Sequence, residues 1–124
     1  MYNEPILSTG ILSELLKVHQ RTLQIWDNEK ILQPARSKNN RRLYSQKDLE
    51  KAKLIQYLTQ NLALNLTGVK VVLELLQKLN IELNESIPFL EKIASKNNIN
   101  EIENISKTSK RGRKPTLNMT QSKP

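Results

Sequence analysis

Apolar residues recur at helical spacing through most of residues 8–79 and predict helices there. The first helix follows an N-cap candidate, Ser8, and one of its sides carries Ile11, Leu12, Leu15 and Leu16. After a short polar break, a second helix is expected over residues 20–28, where Leu23 and Trp26 mark the buried face. Two short helices joined by so tight a turn predict a helix-turn-helix.

The second helix carries polar side chains on the side away from its buried face. Gln20, Arg21, Gln24 and Asp27 would point outward there. Such groups hydrogen-bond base edges or phosphates in the major groove of DNA. We expect the DNA contacts of this helix to be His19, Gln20, Arg21, Thr22 and Gln24. For His19, at the helix start, an N-cap or phosphate-facing role is favoured over metal binding, because it has no partner ligand.

Two short extended runs, residues 32–36 and 41–44, flank a basic turn and predict a β-hairpin. Pro34 disfavours helix just before it, and Asn39-Asn40 suits a tight turn because asparagine tolerates positive φ. This hairpin would form a wing beside the second helix and hold basic side chains against phosphates. The predicted wing contacts are Arg36, Lys38, Arg41, Arg42 and Tyr44. For Tyr44, packing against the second helix is the alternative.

Two further helices are predicted after the hairpin. Ser45 and Asp48 form a capping box, with Asp in place of Glu, at the start of the third helix. Its apolar face comprises Leu49, Ala52, Ile55, Leu58 and Leu62. The fourth helix begins at residues 66–68, and its apolar face comprises Val69, Val72, Leu73, Leu76 and Leu79.

The apolar pattern weakens after Asn80. The Ser-Ile-Pro run at 86–88 predicts another helix start, because proline is tolerated in the first turn, and this helix would continue to about Lys96. Beyond an Asn-rich break, the spacing resumes at Ile99, Ile102 and Ile105. We expect this helix to pack on a second copy of the chain through Ile87, Leu90 and Ile93. A helix that folds back on its own domain is the alternative.

The last residues, 107–124, are polar and basic, and this composition predicts disorder. Within them, the run from Lys110 to Pro115 resembles an AT-hook, whose Arg-Gly-Arg core enters a narrow A·T minor groove. The core residues here are Arg111, Gly112 and Arg113. A nonspecific electrostatic tether is the alternative.

The net charge of +8 is concentrated in two blocks. Residues 17–53 carry ten Lys or Arg against four acids, and residues 107–124 carry six against none, so each block has a net charge of +6. Residues 1–16 and 54–106 have a net charge of −2 each. Two basic blocks around a mildly acidic middle favour two contacts with a polyanion, over lysine that merely keeps the protein soluble.

Composition disfavours several other classes of protein. The chain has no cysteine, which excludes disulfides and thiolate metal sites. It has no run of 18 apolar residues, and its start lacks the pattern of a secretory signal. No catalytic triad, carboxylate pair or Gly-rich phosphate loop is visible, so we expect neither an enzyme nor a cofactor. A chain of 124 residues, 37% apolar, predicts one small domain plus an appendage. We expect the protein in the cytoplasm, associated with the nucleoid.

Residues 6–79 resemble the DNA-binding domain of the MerR family of bacterial transcriptional regulators. The resemblance is carried by Thr22-Leu23, Trp26-Asp27, Ile31-Leu32, Pro34-Ala35-Arg36, Arg42-Leu43-Tyr44-Ser45, Asp48-Leu49 and Leu64-Asn65-Leu66-Thr67-Gly68-Val69. The opening Asn3-Glu4-Pro5-Ile6-Leu7 and the run NLTGVKVVLELL at 65–76 resemble the HspR-like branch, the heat-shock repressors of that family.

This resemblance implies a mainly α fold, a winged helix-turn-helix followed by a short C-terminal helical segment. Together with the apolar and charge patterns, it divides the chain into a DNA-binding domain at 1–79, a helical dimerisation or interaction segment at 80–106 and a disordered basic tail at 107–124. It further implies a homodimer on a near-palindromic operator, acting as a repressor, with a DnaK-type chaperone as co-regulator in the HspR-like branch. The chain departs from the family at Gln24, which replaces Arg, at Lys30, which replaces Gly, and at Asn39-Asn40, which replaces a Gly-containing wing tip.

Two other interpretations stay open at this point. An architectural or excisionase-like protein would use the same fold to bend DNA without regulating transcription. A protein-interaction module would instead bind its partner through residues 80–106, and its contact with DNA would be incidental.

Overall fold

The computed structural model describes residues 2–99, which form three short strands, five α-helices and one π-helical turn. Their bounds, in chain order, are β1 Leu7–Ser8, α1 Thr9–Leu16, α2 Gln20–Asn28, β2 Ala35–Arg36, β3 Arg42–Tyr44, α3 Gln46–Gln56, the π turn Tyr57–Asn61, α4 Leu66–Lys78 and α5 Leu83–Lys96. In this part of the chain, no helix is both long enough and apolar enough to cross a membrane. The mainly helical fold predicted from the sequence is confirmed.

Helices α1 and α2 form the predicted helix-turn-helix. The Ser8 hydroxyl accepts a hydrogen bond from the Ile11 N–H at 3.2 Å and caps α1, as its sequence position predicts. Lys17 then adopts a left-handed conformation with φ 59°, and the Val18 N–H donates to the Ser13 carbonyl at 3.0 Å. This Schellman-type ending turns the chain within three residues into α2.

The three strands form one antiparallel sheet in the order β1-β3-β2. The wing, residues 35–44, is the predicted hairpin, although its strands are shorter than expected, and Arg36 pairs with Arg42. Strand β1 was not predicted; it places Leu7 opposite Tyr44 on the other edge of β3. We call residues 2–8 the N-terminal arm, since the Lys47 N–H also donates to the Tyr2 carbonyl and the Tyr2 hydroxyl donates to Glu50.

Helices α3 and α4 begin at side-chain caps. The Ser45 hydroxyl accepts from the Asp48 N–H at 3.0 Å, and the Asp48 carboxylate accepts from the Ser45 N–H at 2.9 Å, which confirms the capping box. At the far end of α3, the helix continues as the π turn. The Asn65 side chain caps α4 by accepting from the Gly68 N–H at 2.8 Å.

Helix α5 begins three residues earlier than the sequence predicts, at Leu83 rather than Ser86. Pro88 therefore lies inside the helix, and Ser86 is a buried residue whose hydroxyl donates to the Glu82 carbonyl at 2.8 Å. The predicted end near Lys96 is confirmed. Proline did not mark the start of this helix: Pro88 is its sixth residue, beyond the first turn, and has no N–H to donate to the Asn84 carbonyl.

Helix α5 packs against α3 within the same chain, as the fold-back alternative expects. Of the three predicted dimer contacts, Ile87 and Leu90 are half-buried against the core and Ile93 remains exposed. The core contains Leu12, Leu16, Leu23, Trp26, Ile31, Leu32, Tyr44, Leu49, Ala52, Leu54, Ile55, Tyr57, Leu58, Val69 and Leu76. Leu79 was wrongly placed on the buried face of α4: it is 58% exposed.

Candidate nucleic-acid interface

The exposed face of α2 is mostly polar because two of its three large apolar side chains turn inward, whereas the third, Ile25, is 42% exposed. Leu23 and Trp26 are buried in the core and fix the rotation of the helix. That rotation leaves Gln20, Arg21 and Gln24 exposed, as predicted, whereas Thr22 is half-buried. The side chains presented to solvent therefore include amide and guanidinium groups that suit hydrogen bonding to base edges or phosphates.

His19 caps the start of α2, which confirms the N-cap expectation. Its Nδ1 accepts a hydrogen bond from the Arg21 N–H at 3.0 Å. In a neutral imidazole that accepts at Nδ1, the proton resides on Nε2, so the outer edge of the ring is a donor. His19 lines a depression of about 730 Å³ between α1 and α2, together with Gln20, Arg21 and Gln24. Four of the five predicted α2 contacts thus surround one concave surface.

The wing tip is shaped by Ser37 and Asn40. The Ser37 hydroxyl accepts from the Asn39 N–H at 3.3 Å and from the Arg41 N–H at 3.1 Å. The Asn40 N–H donates to the Ser37 carbonyl, and Asn40 has φ 61°. Asparagine therefore supplies the left-handed turn residue, as predicted.

The wing is joined to the second helix by one carboxylate. Asp27 Oδ2 accepts from Arg42 Nε at 2.8 Å and from Arg36 Nη2 at 3.2 Å. The prediction that Asp27 points away from the protein is wrong, since its side chain is only 12% exposed. Arg36 also donates to the Asn40 carbonyl at 3.1 Å. We call Asp27, Arg36 and Arg42 the wing clamp.

Because Arg36 and Arg42 are bound to Asp27 in the wing clamp, their predicted role as phosphate contacts becomes a structural one. Arg42 is 23% exposed and turned toward α2, so it does not extend from the wing tip as the sequence suggested. Lys38 and Arg41 are exposed, and neither forms an ion pair with any residue of the described range 2–99. These two cations are therefore the free positive charges of the wing, while Arg36 and Arg42 position it.

Tyr44 is not part of the exposed surface. It is the largest fully buried side chain of the described residues, and it belongs to the core that includes Leu23 and Trp26. Burial raises the pKa of its phenol above 10.0. Because the buried hydroxyl cannot reach a phosphate while the ring stays in the core, the packing alternative describes Tyr44 and we remove it from the candidate contacts.

Lys30 retains the turn geometry that glycine usually supplies at the end of the second helix. Its φ is 61°, and the Ile31 N–H donates to the Trp26 carbonyl at 2.9 Å, which is a Schellman ending. A side chain in this conformation costs about 1–2 kcal/mol. The left-handed conformation of Lys30 therefore preserves the turn from α2 toward the wing but lowers the stability of the fold.

Sequence reasoning missed the structural roles of Asp27 and Ser37. A serine at the first position of a turn is a known signal, which could have identified Ser37. The contact between Asp27 and Arg42 joins residues fifteen apart and follows no local spacing rule. The predicted AT-hook residues Arg111, Gly112 and Arg113, and the rest of the 107–124 tail, lie outside the described residues.

Comparison with known families identifies the fold. Residues 7–76, more than half of the chain, match the family described as MerR HTH family regulatory protein. The chain belongs to the MerR family. The match covers the helix-turn-helix, the wing and helices α3 and α4, so the resemblance seen in the sequence is confirmed.

Individual MerR-family proteins are similar to this chain at modest identity. A putative heat shock protein HspR of Streptomyces coelicolor is 31% identical over 71 residues, which are 57% of this chain and 47% of that protein. The HTH-type transcriptional regulator GlnR of Bacillus anthracis is 33% identical over 69 residues, which are 56% and 53% of the two chains. The chain thus matches about half the length of these curated relatives.

A solved structure shows the same fold. The crystal structure of the HTH-type transcriptional regulator SkgA from Caulobacter crescentus superposes with a TM-score of 0.58 at 21% sequence identity. The superposition covers 75% of this chain and 66% of that one. The winged helix-turn-helix of the MerR family is therefore the architecture that carries the candidate interface.

Proposed function

We propose that this protein is a sequence-specific DNA-binding regulator of transcription, and that it represses by occupying a near-palindromic operator as a homodimer. The observation that carries the proposal is the wing clamp, because it holds a free basic wing tip beside the polar face of α2. A helix of this kind reads base edges in the major groove while an adjacent element contacts the backbone.

The proposal assigns different tasks to the two parts of the interface. Gln20 and Gln24 offer amides suited to bidentate hydrogen bonding with adenine, and Arg21 offers a guanidinium suited to guanine or phosphate. Lys38 and Arg41 contact phosphates and carry no sequence information. His19 adds an Nε2 donor at the helix N-terminus, where a phosphate is also favoured by the helix dipole.

The homodimer is supported by apolar side chains that the monomer leaves exposed. Val71 and Leu75 on α4, and Leu79 directly after its last residue, follow one another at i, i+4 and i+8 and are 53%, 54% and 58% exposed. On α5, Ile93 is 42% exposed. A second copy of the chain is the proposed occupant of this surface, since a two-fold dimer matches the two-fold symmetry of a palindromic operator.

A protein co-regulator is a further part of the proposal. The similarity to an HspR protein supports a DnaK-type chaperone, as the HspR-like branch implies, whereas the similarity to GlnR proteins is equally strong and gives the chaperone no support. Adding a DnaK-type chaperone to a gel shift on the selected operator tests this part: tighter operator binding supports it, and unchanged binding removes the chaperone from the proposal.

Selection of bound sites from a random duplex pool tests the main proposal, with the mass of the complex measured alongside. We expect an enriched, near-palindromic sequence and a dimeric complex. A footprint spread over many unrelated sites would indicate an architectural protein instead. Absence of preference for any duplex over heparin would contradict DNA recognition altogether.

Variants then separate the two tasks. The pair Lys38→Gln and Arg41→Gln should weaken binding to all duplexes. It should also reduce the magnitude of the log–log salt slope by about 3.6, at roughly 0.9 per phosphate contact and four such contacts per homodimer. The pair Gln20→Ala and Gln24→Ala should instead relax the preferred sequence. Lys78→Gln with Lys92→Gln removes the same charge far from the interface and serves as the control, with an unchanged slope.

A further inference from the structure

A cavity lined by lysines lies at the opposite end of α2 from its capped N-terminus. It is open to solvent on one side, has a volume of about 480 Å³ and is lined by side chains from α3, α4, α5 and the turns that follow α2 and α4. Four of the lining residues are lysines, and they are Lys30, Lys47, Lys51 and Lys70. Since α2 has nine residues at about 1.5 Å each, the cavity is roughly 13 Å from His19 along the helix.

The floor of this cavity is apolar. Ile31, Leu54 and Leu76 are buried in the core, and they are joined by half-buried Leu73, Ile81 and Leu83. Cavities of about 300–1,000 Å³ with an apolar lining and a few convergent polar groups are typical of small-molecule sites. The size and the lining therefore fit a ligand with a hydrocarbon body.

The rim of the cavity has unbalanced positive charge. The acid in the lining is Glu74, which lies 3.9 Å from Lys78, while Lys70 lies 3.3 Å from Glu29. Lys47 and Lys51 are one helical turn apart on α3, and neither has an ion-pair partner among residues 2–99. Like charges at this spacing repel each other.

Lys51 is the least well solvated of these lysines. Burial lowers the pKa of its ammonium below 10.5, and the neighbouring Lys47 acts in the same direction, although Asp48 opposes them. A bound anion would offset this desolvation, because it would add to the counter-charge of Asp48.

We propose that this cavity binds a small organic anion, with a phosphate or carboxylate head held by Lys47 and Lys51 and an apolar body lying over Leu54, Leu73 and Leu76. The apolar floor distinguishes the site from a surface for DNA phosphates, because a sugar–phosphate backbone has no hydrocarbon body to bury there. None of the lining residues belongs to the candidate DNA contacts of α2 or the wing.

Isothermal titration of the full chain with octyl phosphate tests the proposal. We expect saturable 1:1 binding, with inorganic phosphate and 1-octanol each at least about tenfold weaker, since each supplies one half of the interaction. The pair Lys47→Gln and Lys51→Gln should weaken octyl phosphate binding at least about tenfold, because it removes both charge-assisted contacts. Lys53→Gln with Lys92→Gln removes the same charge outside the cavity and should change affinity less than about twofold.

Three results would overturn the proposal. The first is titration without saturable binding of octyl phosphate. The second is an equal loss of affinity in the two variant pairs, which would indicate general charge attraction. The third is binding of inorganic phosphate as tight as that of octyl phosphate, which would leave the apolar floor without a role. Far-UV circular dichroism confirms that each variant is folded, and Lys70→Gln, an exposed substitution at the rim, gives a second test with an expected loss of about threefold.

Discussion

Removing the carboxylate of the wing clamp should destabilise the protein measurably. Asp27→Asn keeps the shape of the side chain but removes the charge that Arg42 and Arg36 share. The Asp27–Arg42 contact is 2.8 Å long between side chains that are 12% and 23% exposed. Hydrogen bonds to charged groups contribute about 1.5–3 kcal/mol, and the 43% exposed Arg36 adds less than about 1 kcal/mol. We therefore expect a loss of roughly 2 kcal/mol in the free energy of unfolding.

Urea and thermal unfolding measure this loss. For a domain of this size, 1 kcal/mol corresponds to about 4–8 °C in Tm, so Asp27→Asn should lower Tm by roughly 8–16 °C. A double-mutant cycle with Arg42→Gln isolates the contact itself. Its coupling energy should be about 1.5 kcal/mol, since the two side chains are in direct contact and largely screened from water.

The exposed ion pair between Glu29 and Lys70 is the matched control. Both side chains are 49% exposed and their charged atoms are 3.3 Å apart. The corresponding cycle, Glu29→Gln with Lys70→Gln, should give less than about 1 kcal/mol, because solvent screens an exposed pair. Coupling below about 0.5 kcal/mol for Asp27 and Arg42, or coupling no larger than the control, would refute the clamp as the connection between wing and helix.

Two further predictions concern the backbone and pH. Ala63 has φ 58°, so Ala63→Gly should raise the free energy of unfolding, measured by urea denaturation, by about 0.5–1 kcal/mol, because the relief of left-handed strain exceeds the extra backbone entropy that glycine loses on folding. Ala35→Gly in β2 is the control and should lower the free energy of unfolding. Equal effects of the two substitutions would contradict strain at Ala63. Burial raises the pKa of Tyr44 above 10.0, so the native state keeps a proton that the unfolded chain releases, and the free energy of unfolding should fall as pH rises through 10. Tyr44→Phe should flatten this dependence of stability on pH. The same dependence in the variant and the wild type would contradict the assignment to Tyr44.

The parts of the fold that follow local rules could be predicted from the sequence. Ser8 and Ser45 cap α1 and α3 because a hydroxyl beside the first free N–H groups is a local arrangement. The inward face of α2 follows from helical periodicity. The face predicted for α1 is only partly correct, since Leu12 and Leu16 are buried whereas Ile11 and Leu15 are 48% and 55% exposed. Asn40 could be expected in a left-handed turn because asparagine tolerates that conformation better than most residues.

The parts of the fold that depend on contacts between residues far apart in the chain could not be predicted from the sequence. Strand β1 has two residues and exists because Leu7 and Ser8 pair with β3, thirty-five residues away or more. Arg42 has the charge expected of a phosphate contact, but its guanidinium donates to the carboxylate of Asp27 on α2 and therefore lies against that helix. The early start of α5 was missed because Pro88 suggested a first turn, while the residue at the actual N-cap, Glu82, forms no side-chain cap.

The N-terminal arm has a practical consequence for anyone who handles this protein. It pairs with one edge of β3, a strand of the wing whose other edge pairs with β2, and it is also hydrogen-bonded to α3. A purification tag or fluorescent protein joined closely to residue 2 would strain β1, the strand that pairs with the wing. Reporter fusions are better placed after the last helix, and weak operator binding by an N-terminal fusion would first suggest a strained sheet rather than a wrong operator.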